Sequence, residues 1–412
     1  MKKQIVIVIA GIACFFTACK KTEPVQTTQV NIELQKPEAL EGKDISMQAR
    51  IVLKNINSGD EVVMESSDWT VSGIEVEEGL YNARASVSIT HNDLKKSEAP
   101  IVSQWEGFSE NITVKEEPMT LSVPLVIKNE QAGKNFVISE IYITWSLYPG
   151  TNKKYMSDSF FEIYNNSDQT LYADGLCIGE SAIKTAHILE NFSPDIRGEA
   201  VPIRIAYRIP GSGTDYPVAP GETFVFCDVA INHKEKNENS VDLSQADFEW
   251  YDNDKRDTDI PEVPNMEQLV KHTSAKVWKP FSRGQHSYIL FRVPNTTTAD
   301  DFLASHSFDY TFTFKGEVKE RHVSKVSNAE VIDAVECSTP SAFEWKALSP
   351  SLDLMWTHCG DNDDSRFSHS MKRKIEKTKE GRILLQDTNN SEEDFIATAA
   401  NPSPGTVEDH QQ

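Results

Sequence analysis

Residues 160–178 read FFEIYNNSDQTLYADGLCI, and their reading decides the fold of the longer part of the chain. The run SFFEIY, 159–164, is aromatic-rich, as strands favour. Asn165-Asn166-Ser167-Asp168 follows. Short polar side chains of this kind hydrogen-bond their own backbone, so the chain turns there. A second strand is expected from Leu171 to Ile178. Just upstream, FVISEIYITW, 136–145, reads as another strong strand. Strand, polar turn and strand build an antiparallel sheet.

Toward the N-terminus, residues 26–128 alternate with period two. VNIEL, ISMQARIVLKNI, EVVMES, WTVSGIEV, LYNARASVSI, NITV and LSVPLVI each carry that pattern. Turn signals at Asn57-Ser58-Gly59-Asp60 and Glu77-Glu78-Gly79 fall between them. Short strands closely spaced predict an antiparallel sandwich. The order of strand, NSGD turn, strand and EEGLYNARASV resembles the transthyretin-like and carboxypeptidase-regulatory sandwiches, which implies architecture only.

Residues 136–407 are expected to form a second sandwich. ISEIY followed by FFEIYNNSDQTLYADGLCI resembles the lamin-tail domain, an immunoglobulin-like β-sandwich. Further pieces fall in that family's order: IPGSGTDYPVAPGETFVFCD (209–228), SYILFRVP (287–294), NAEVIDAVEC (328–337) and the closing RKIEKTKEGRILLQDTNNSEEDFIATAANPSPGT (373–406). Leu176 stands where the family usually has Trp. Three stretches read as inserts, 181–208, 229–285 and 295–327, longer than ordinary loops and therefore candidates for function. Within the second, MEQLVKH is expected to be a short helix with Asn265 as its N-cap. Residues 361–370 and the tail from Val407, including 408–412, are expected to be flexible.

The first residues bear on location. Lys2 and Lys3 precede the apolar run IVIVIAGIACFF, 5–16, and then Thr17-Ala18-Cys19. This pattern predicts a signal peptide over 1–18. The run is too short to span a hydrocarbon core of about 30 Å. Thr17-Ala18-Cys19 resembles the lipobox of bacterial lipoproteins, which implies a lipid on Cys19 and a polar tether over 19–25. The whole chain resembles uncharacterised Bacteroidota lipoproteins with a lamin-tail-like domain. That resemblance implies outer-membrane attachment, with the periplasmic or cell-surface face left open.

Composition limits the function classes. The chain of 412 residues has 41 basic and 63 acidic residues, a net charge of −22. Such a surplus opposes binding to nucleic acid. A hydrophobic share of 39% with seven Trp and nineteen Phe is enough for true cores. Cys177, Cys227, Cys337 and Cys359 remain after the signal and the lipidated Cys19, and could pair as disulfides in an oxidising compartment or stay buried as small apolar groups.

The motifs point away from catalysis. QDTNNSEEDF, 386–395, holds four carboxylates but lacks the central Gly of a calcium loop. It reads as a turn capped by Asp387 and Asn389 or Asn390 and anchored by Phe395. The run Asp252–Asp259 reads as a solvated loop. His358, Cys359, Cys337 and His369 lack zinc spacing. Trp250, Tyr251, Trp278, Phe281 and Tyr288 are the candidate partner-binding aromatics, because aromatic anchors dominate interfaces. The expectation is a non-enzymatic binding or accessory module of a cell-envelope assembly, with an envelope protein or polysaccharide as partner and no cofactor. The alternatives are capture of haem or another nutrient beside an outer-membrane transporter, or a metal-dependent hydrolase working from the inserts.

Overall fold

A computed structural model describes residues 27–36, 40, 45–91, 101–115, 117–127, 135–362, 364–379, 381–407 and 410. The expected signal peptide, Cys19 and its tether lie outside the described residues. The chain divides into two compact units, Met1–Glu130 and Gln131–Gln412. Both are built almost wholly of β-strands, so the fold is all-β.

The first unit has seven strands: β1 (Thr27–Gln35), β2 (Ile45–Asn55), β3 (Glu61–Ser66), β4 (Thr70–Glu77), β5 (Gly79–His91), β6 (Ile101–Val114) and β7 (Met119–Ile127). They pair in the order β3-β2-β5-β6-β7-β1-β4. Strand β7 changes partner along its length. Met119–Pro124 pairs with β1, and Leu125–Ile127 pairs with β6. The sheet thereby curls around one core that includes Val30, Ile32, Ile51, Leu53, Val87 and Val123. Gly107 sits at the changeover, where an added Cβ would come within 2.7 Å of the Leu125 and Val123 side chains. The β1–β7 pair is parallel, which corrects the expectation of a purely antiparallel sandwich. The expected turn after β2 forms because Asn55 Oδ1 accepts from the N–H groups of Asn57 and Ser58.

In the second unit a six-stranded sheet runs β18 (Phe248–Glu249), β17 (Thr223–Cys227), β11 (Phe160–Asn165), β8 (Phe136–Tyr142), β24 (His369–Arg373) and β27 (Phe395–Ala400). An eight-stranded sheet runs β14 (Glu190–Ser193), β21 (Ser307–Phe314), β22 (Glu317–Ser327), β15 (Ala200–Arg208), β13 (Leu176–Lys184), β20 (His286–Arg292) and β23 (Val331–Val335), with β19 (Glu267–Lys271) branching from β15. Three short ribbons complete it: β9 (Ser146–Leu147) with β10 (Lys154–Tyr155), β12 (Leu171–Tyr172) with β16 (Pro217–Val218), and β25 (Ile375–Lys379) with β26 (Arg382–Leu385).

The two large sheets share one core. Phe136, Ile138, Phe161, Ile163, Phe224 and Phe226 meet Ile178, Ile205, Tyr207, Tyr288, Leu290 and Val335. The other face of the six-stranded sheet is covered too. Phe160, Val225 and Cys227 pack with Val241 and Leu243, and Val137 and Tyr164 pack with Leu385. Every residue of β8 and β11 is therefore buried, the polar Ser139, Glu140, Glu162 and Asn165 included. The turn after β11 uses both of its asparagines. Asn165 Oδ1 accepts from the Ser167 N–H and hydroxyl. Asn166 makes a two-way bond with the backbone of Leu385, donating to its carbonyl at 3.0 Å and accepting from its N–H at 2.9 Å.

Several expectations about the inserts are corrected. Residues 181–208 are no excursion, because β15 lies inside the eight-stranded sheet with Ile203, Ile205 and Tyr207 fully buried. Residues 295–327 form helix α1 (Ala299–Ser305) and the β21–β22 hairpin. The expected helix at MEQLVKH is strand β19. Its Leu269 and Val270 are buried, its backbone pairs with β15, and Asn265 donates to Asp259 instead of capping. Residues 361–370 carry the buried Arg366, Phe367 and Ser370, and Val407 and His410 are also buried. Residues 363, 408, 409, 411 and 412 lie outside the described residues.

Two carboxylates lie side by side within the six-stranded sheet. Glu140 on β8 and Glu162 on β11 face each other in register, and both are fully buried. Burial, and then the neighbouring Glu140, push the Glu162 carboxyl up to about 8. Burial also raises Glu140. Glu162 accepts from the Ser139 hydroxyl and the Gly405 N–H, and Glu140 accepts from Ser370 and Ser403. Residues 403–407 are thus held onto the sheet. A carboxyl whose folded pKa is raised stabilises the fold fully below its unfolded value of 4.5. That contribution is lost as pH rises through about 8. The melting temperature is therefore expected to fall between pH 5 and 8.5, and Glu162→Gln to flatten that fall. Parallel curves for the two proteins would show that this pair does not set the pH dependence.

Candidate functional site

The candidate binding aromatics are mostly core residues. Trp250, Trp278 and Tyr288 are at most 2% exposed, while Tyr251 and Phe281 are half-buried. The Phe161 ring stacks on Phe226 at 5.4 Å and on Trp278 at 6.1 Å, and Trp278 stacks on Tyr207 at 5.3 Å. Trp250 meets Trp278 at 4.9 Å. A column of rings thus fills the space between the sheets. It gains the burial energy of large apolar side chains together with favourable ring geometry. The polar edges are satisfied inside, since Trp250 donates to the Trp278 carbonyl and Trp278 donates to Glu180. These three rings form no partner-binding platform.

The acidic runs also belong to the fold. Asp252 is no solvated residue. Its carboxylate accepts from the Tyr207 hydroxyl, Gln268, Lys271 and the Trp278 N–H. The rest of that run is more open: Asn253, Lys255, Arg256, Thr258 and Asp259 are exposed, as a solvated loop would be, and Arg256 pairs with Asp254. In QDTNNSEEDF the capping residue is Asp394. It accepts from the Thr388 N–H and hydroxyl, and from the Asn390 N–H. Asp387 turns instead to Arg373, and the buried Phe395 lies under the same guanidinium.

The four cysteines are free and buried, so none forms a disulfide. They sit in different places: Cys177 against Ile289, Cys227 against Phe160, and Cys337 and Cys359 in the core between the sheets. Burial pushes the Cys359 thiol up to about 12 and raises the others. They are apolar packing groups rather than nucleophiles. His358 and His369 bond to nearby groups, His358 to Thr398 and Gly360, His369 to the Phe367 carbonyl. Among the described residues, no group of three or more His, Cys, Asp or Glu side chains is placed to hold a metal ion.

A different site emerges beside the β21–β22 hairpin. Lys315 and Gly316 turn the hairpin, both with positive φ, as a two-residue connection between twisted strands requires. The register opposes Tyr310 to Arg321 and Phe312 to Lys319. Because side chains alternate across a strand, Phe308, Tyr310, Phe312 and Phe314 share one face with Glu317, Lys319, Arg321 and Val323. Deeper along the ribbon, Phe308, Tyr310, Phe312 and Val323 pack on Leu189 and Phe192. Toward the turn the same face opens into a groove of about 680 Å³, within the range of small-ligand sites. The far wall is the end of β13 and the loop after it, with Lys184 and His187. Arg204 of β15 and His286 at the start of β20 complete the lining.

The groove is strongly polarised. Four cationic side chains line it, Lys184, Arg204, Lys319 and Arg321, and no carboxylate does. Arg204 is compensated by the buried Glu180 at 2.6 Å, and Lys319 by the exposed Glu317 at 2.5 Å. Lys184 and Arg321 have no such partner among the described residues. The Lys184 ammonium lies 4.1 Å from the Phe281 ring centre, and the Arg321 guanidinium 5.4 Å from that of Phe312. Both thus rest on ring faces instead of carboxylates. Burial and then Arg204 lower the Lys184 pKa, so an incoming anion would relieve repulsion there. His286 is buried, and its Nδ1 bonds the Ser181 carbonyl at 2.8 Å. Its Nε2 has no partner.

One candidate aromatic, Phe281, reaches this site, as the ring beneath Lys184. Trp250, Trp278 and Tyr288 are core rings, and Tyr251 does not line the groove. The signal lay in SFDYTFTFKGEVKERHV, where an aromatic at every second position faces Lys-x-Arg across a Lys-Gly turn. If the ring column is structural, Trp278→Ala should cost about 3–5 kcal/mol in urea unfolding and leave groove binding unchanged. An unaltered unfolding midpoint would return Trp278 to the list of interface residues.

Comparison with known proteins bears on the same region. Residues 219–403 match a family described as a protein of unknown function, DUF4876, a span that includes the hairpin and His286. No curated protein matches the chain. Among solved structures, that of a DUF4876 family protein from Bacteroides thetaiotaomicron is similar with a TM-score of 0.55 and 23% identity. The match covers 91% of this chain and 96% of that one. The likeness shows the fold and no activity. In sequence over 219–403, and in fold over most of its length, the chain is similar to an uncharacterised family with a member in Bacteroides.

Proposed function

We propose that this protein is a non-enzymatic binding module of the cell envelope that takes an anionic ligand in the groove beside the β21–β22 hairpin. The observation that carries the proposal is a contrast of charge. A chain of net charge −22 lines one concave site with four cations and no carboxylate. Two of those cations rest on aromatic rings instead of acids. Lys184 and Arg321 stand near one another with no carboxylate in salt-bridge contact, and a ligand's negative charge would relieve their repulsion.

The location is part of the same proposal. Lys2, Lys3, the apolar run to Phe16 and Thr17-Ala18-Cys19 support export and a lipid on Cys19. The lamin-tail-like character of the second unit is likewise proposed, supported by ISEIY and FFEIYN pairing side by side as β8 and β11. An envelope polymer or envelope protein bearing acidic groups is the partner this reading favours.

Two measurements test it. Calorimetric titration of the protein with short uronate oligomers, oligoglutamate and sulfate at low salt should find binding by at least one anion. That binding should weaken with added salt. The double variant Lys319→Glu, Arg321→Glu should reduce affinity at least about tenfold, the equivalent of 1.4 kcal/mol. Affinity that ignores the reversal, or no binding by any anion, would overturn the groove as the site. Separately, Cys19→Ala should move the protein from the membrane fraction to the soluble one. A variant that stays with the membrane would remove the lipid anchor from the proposal.

A further inference from the structure

The donors that line the groove narrow the ligand, and we infer that it is a tetrahedral oxyanion of two charges, a phosphate monoester end or the free phosphate ion. This inference rests on the reading of the groove as an anion site and adds the ligand's class.

Uncommitted donors are the first support. Arg204 gives its Nε to the buried Glu180 at 2.6 Å, and its Nη groups make no hydrogen bond among the described residues. Arg321 spends one Nη on the Glu320 carbonyl at 2.9 Å, which leaves its Nε and other Nη free of protein acceptors among the described residues. The Lys184 ammonium lies over the Phe281 ring and meets no protein acceptor there. Guanidinium and ammonium groups donate and never accept. They match a group whose exposed atoms are all acceptor oxygens.

Tyr310 adds a neutral donor to the set. It is 5% exposed, and its ring packs on Phe192 at 5.1 Å. A tyrosine hydroxyl at such depth usually finds a partner. This one has none among the described residues, although the side chain lines the groove. Burial raises the Tyr310 pKa, and Arg321 and then Arg204 lower it. Both guanidiniums therefore act at the hydroxyl, and both favour negative charge beside it. A ligand oxygen accepting from the phenol would meet those two positive charges as well.

Charge and shape then separate the candidate anions. Of the four cations, Arg204 and Lys319 have carboxylate partners, and Lys184 and Arg321 do not. That leaves two positive charges for a ligand to meet. A carboxylate or a sulfate ester brings one negative charge, whereas a phosphate monoester carries about −1.5 to −2 at pH 7. Shape points the same way. Lys184 comes from β13, Arg204 from β15, Tyr310 from β21 and Arg321 from β22, so the donors arrive from four strands. The two oxygens of a carboxylate lie in one plane, while the three acceptor oxygens of a phosphate end spread in three dimensions. Its fourth oxygen carries the rest of the molecule, which can leave by the open mouth beside the exposed Phe314.

The test is calorimetry on the full chain at neutral pH and low salt, with methyl phosphate, inorganic phosphate, methyl sulfate, acetate and tetraglutamate as probes. The tighter of the two phosphates should bind at least about tenfold more strongly than methyl sulfate, acetate or tetraglutamate. Which of the two is tighter tells an ester end from the free ion, and either result supports the inferred class. Tyr310→Phe keeps the ring and removes only the donor. It should leave the urea unfolding midpoint in place and weaken phosphate binding at least about fivefold. Arg321→Gln should weaken it at least about tenfold. If methyl sulfate, acetate or tetraglutamate binds as tightly as the phosphates, the phosphate inference falls while the anion site stands. If none of the probes binds, both fall. Phosphate binding indifferent to Tyr310→Phe would overturn the convergence of donors on which the inference rests.

Discussion

The second unit is organised around one buried guanidinium. Arg373, on β24 of the six-stranded sheet, is fully buried. It donates to Asp333 at 2.7 Å, on the edge strand β23 of the opposite sheet, and to the Ile138 carbonyl at 2.8 Å on β8. The same Asp333 oxygen accepts from the Ile138 N–H at 2.6 Å. A third arm of the guanidinium reaches the Gln386 carbonyl and Asp387, with Asp394 at 3.6 Å. One planar, always-charged group therefore ties two sheets and the closing turn together. The geometry matters because desolvating such a charge is expensive unless every arm is met. Here the fork is met on all sides, and neither sheet can shift past the other without leaving a charge unpaired.

Other buried carboxylates repeat the device where the chain leaves regular structure. Glu336 accepts from the N–H groups of Ala347 and Leu348, from the Lys346 ammonium and from the Ser287 hydroxyl. Asp353 accepts from the N–H groups of Glu336 and Ser391. Asp174 gathers the N–H groups of Gly213, Asp215 and Tyr216. Burial pushes its carboxyl up, but those three bonds hold it below the usual range. Long connections cross the core in this unit because acids satisfy the backbone donors that a sheet ladder would otherwise satisfy. Part of the acidic surplus is thus internal scaffolding and not surface charge.

This explains what was legible in the sequence. Strands with one apolar face, such as β2 and β5, showed their period plainly, and so did the aromatic runs of β8 and β11. The asparagine turn after β11 was legible as a turn, although Asn166's bond to Leu385, 219 residues away, was not. Excursions were misread for a single physical reason. Polarity in a run such as YDNDKRDTD suggests water, yet Asp252 finds its partners on β15 and β19, elements remote in sequence. The aromatics of the same excursion were legible as important, but whether a ring faces a partner or the core depends on which sheet closes over it. Trp278 is covered by Tyr207, from a stretch that read as an insert.

The groove was hidden by the same misreading, since residues 295–327 look like an insertion until β22 is seen to pair with β15. That pairing gives the hairpin its role. Joined to the central sheet along Ala200–Ile203, the ribbon cannot swing freely, so its cations Lys319 and Arg321 are held at fixed spacing. Beyond the joint it extends past the sheet with only β14 at its outer side, which leaves the face near the turn open. A rigid base with an open end suits recognition of an extended ligand: the base sets the register, and the open end lets the ligand's chain continue out of the site. The cations concentrated there stand against an acidic molecule, whose overall field would repel a diffusing polyanion. The proposed binding of such an anion would therefore rest on short-range contacts that outweigh that repulsion within a Debye length. Ring faces backing the cations provide such contacts, because they hold charge in place without neutralising it.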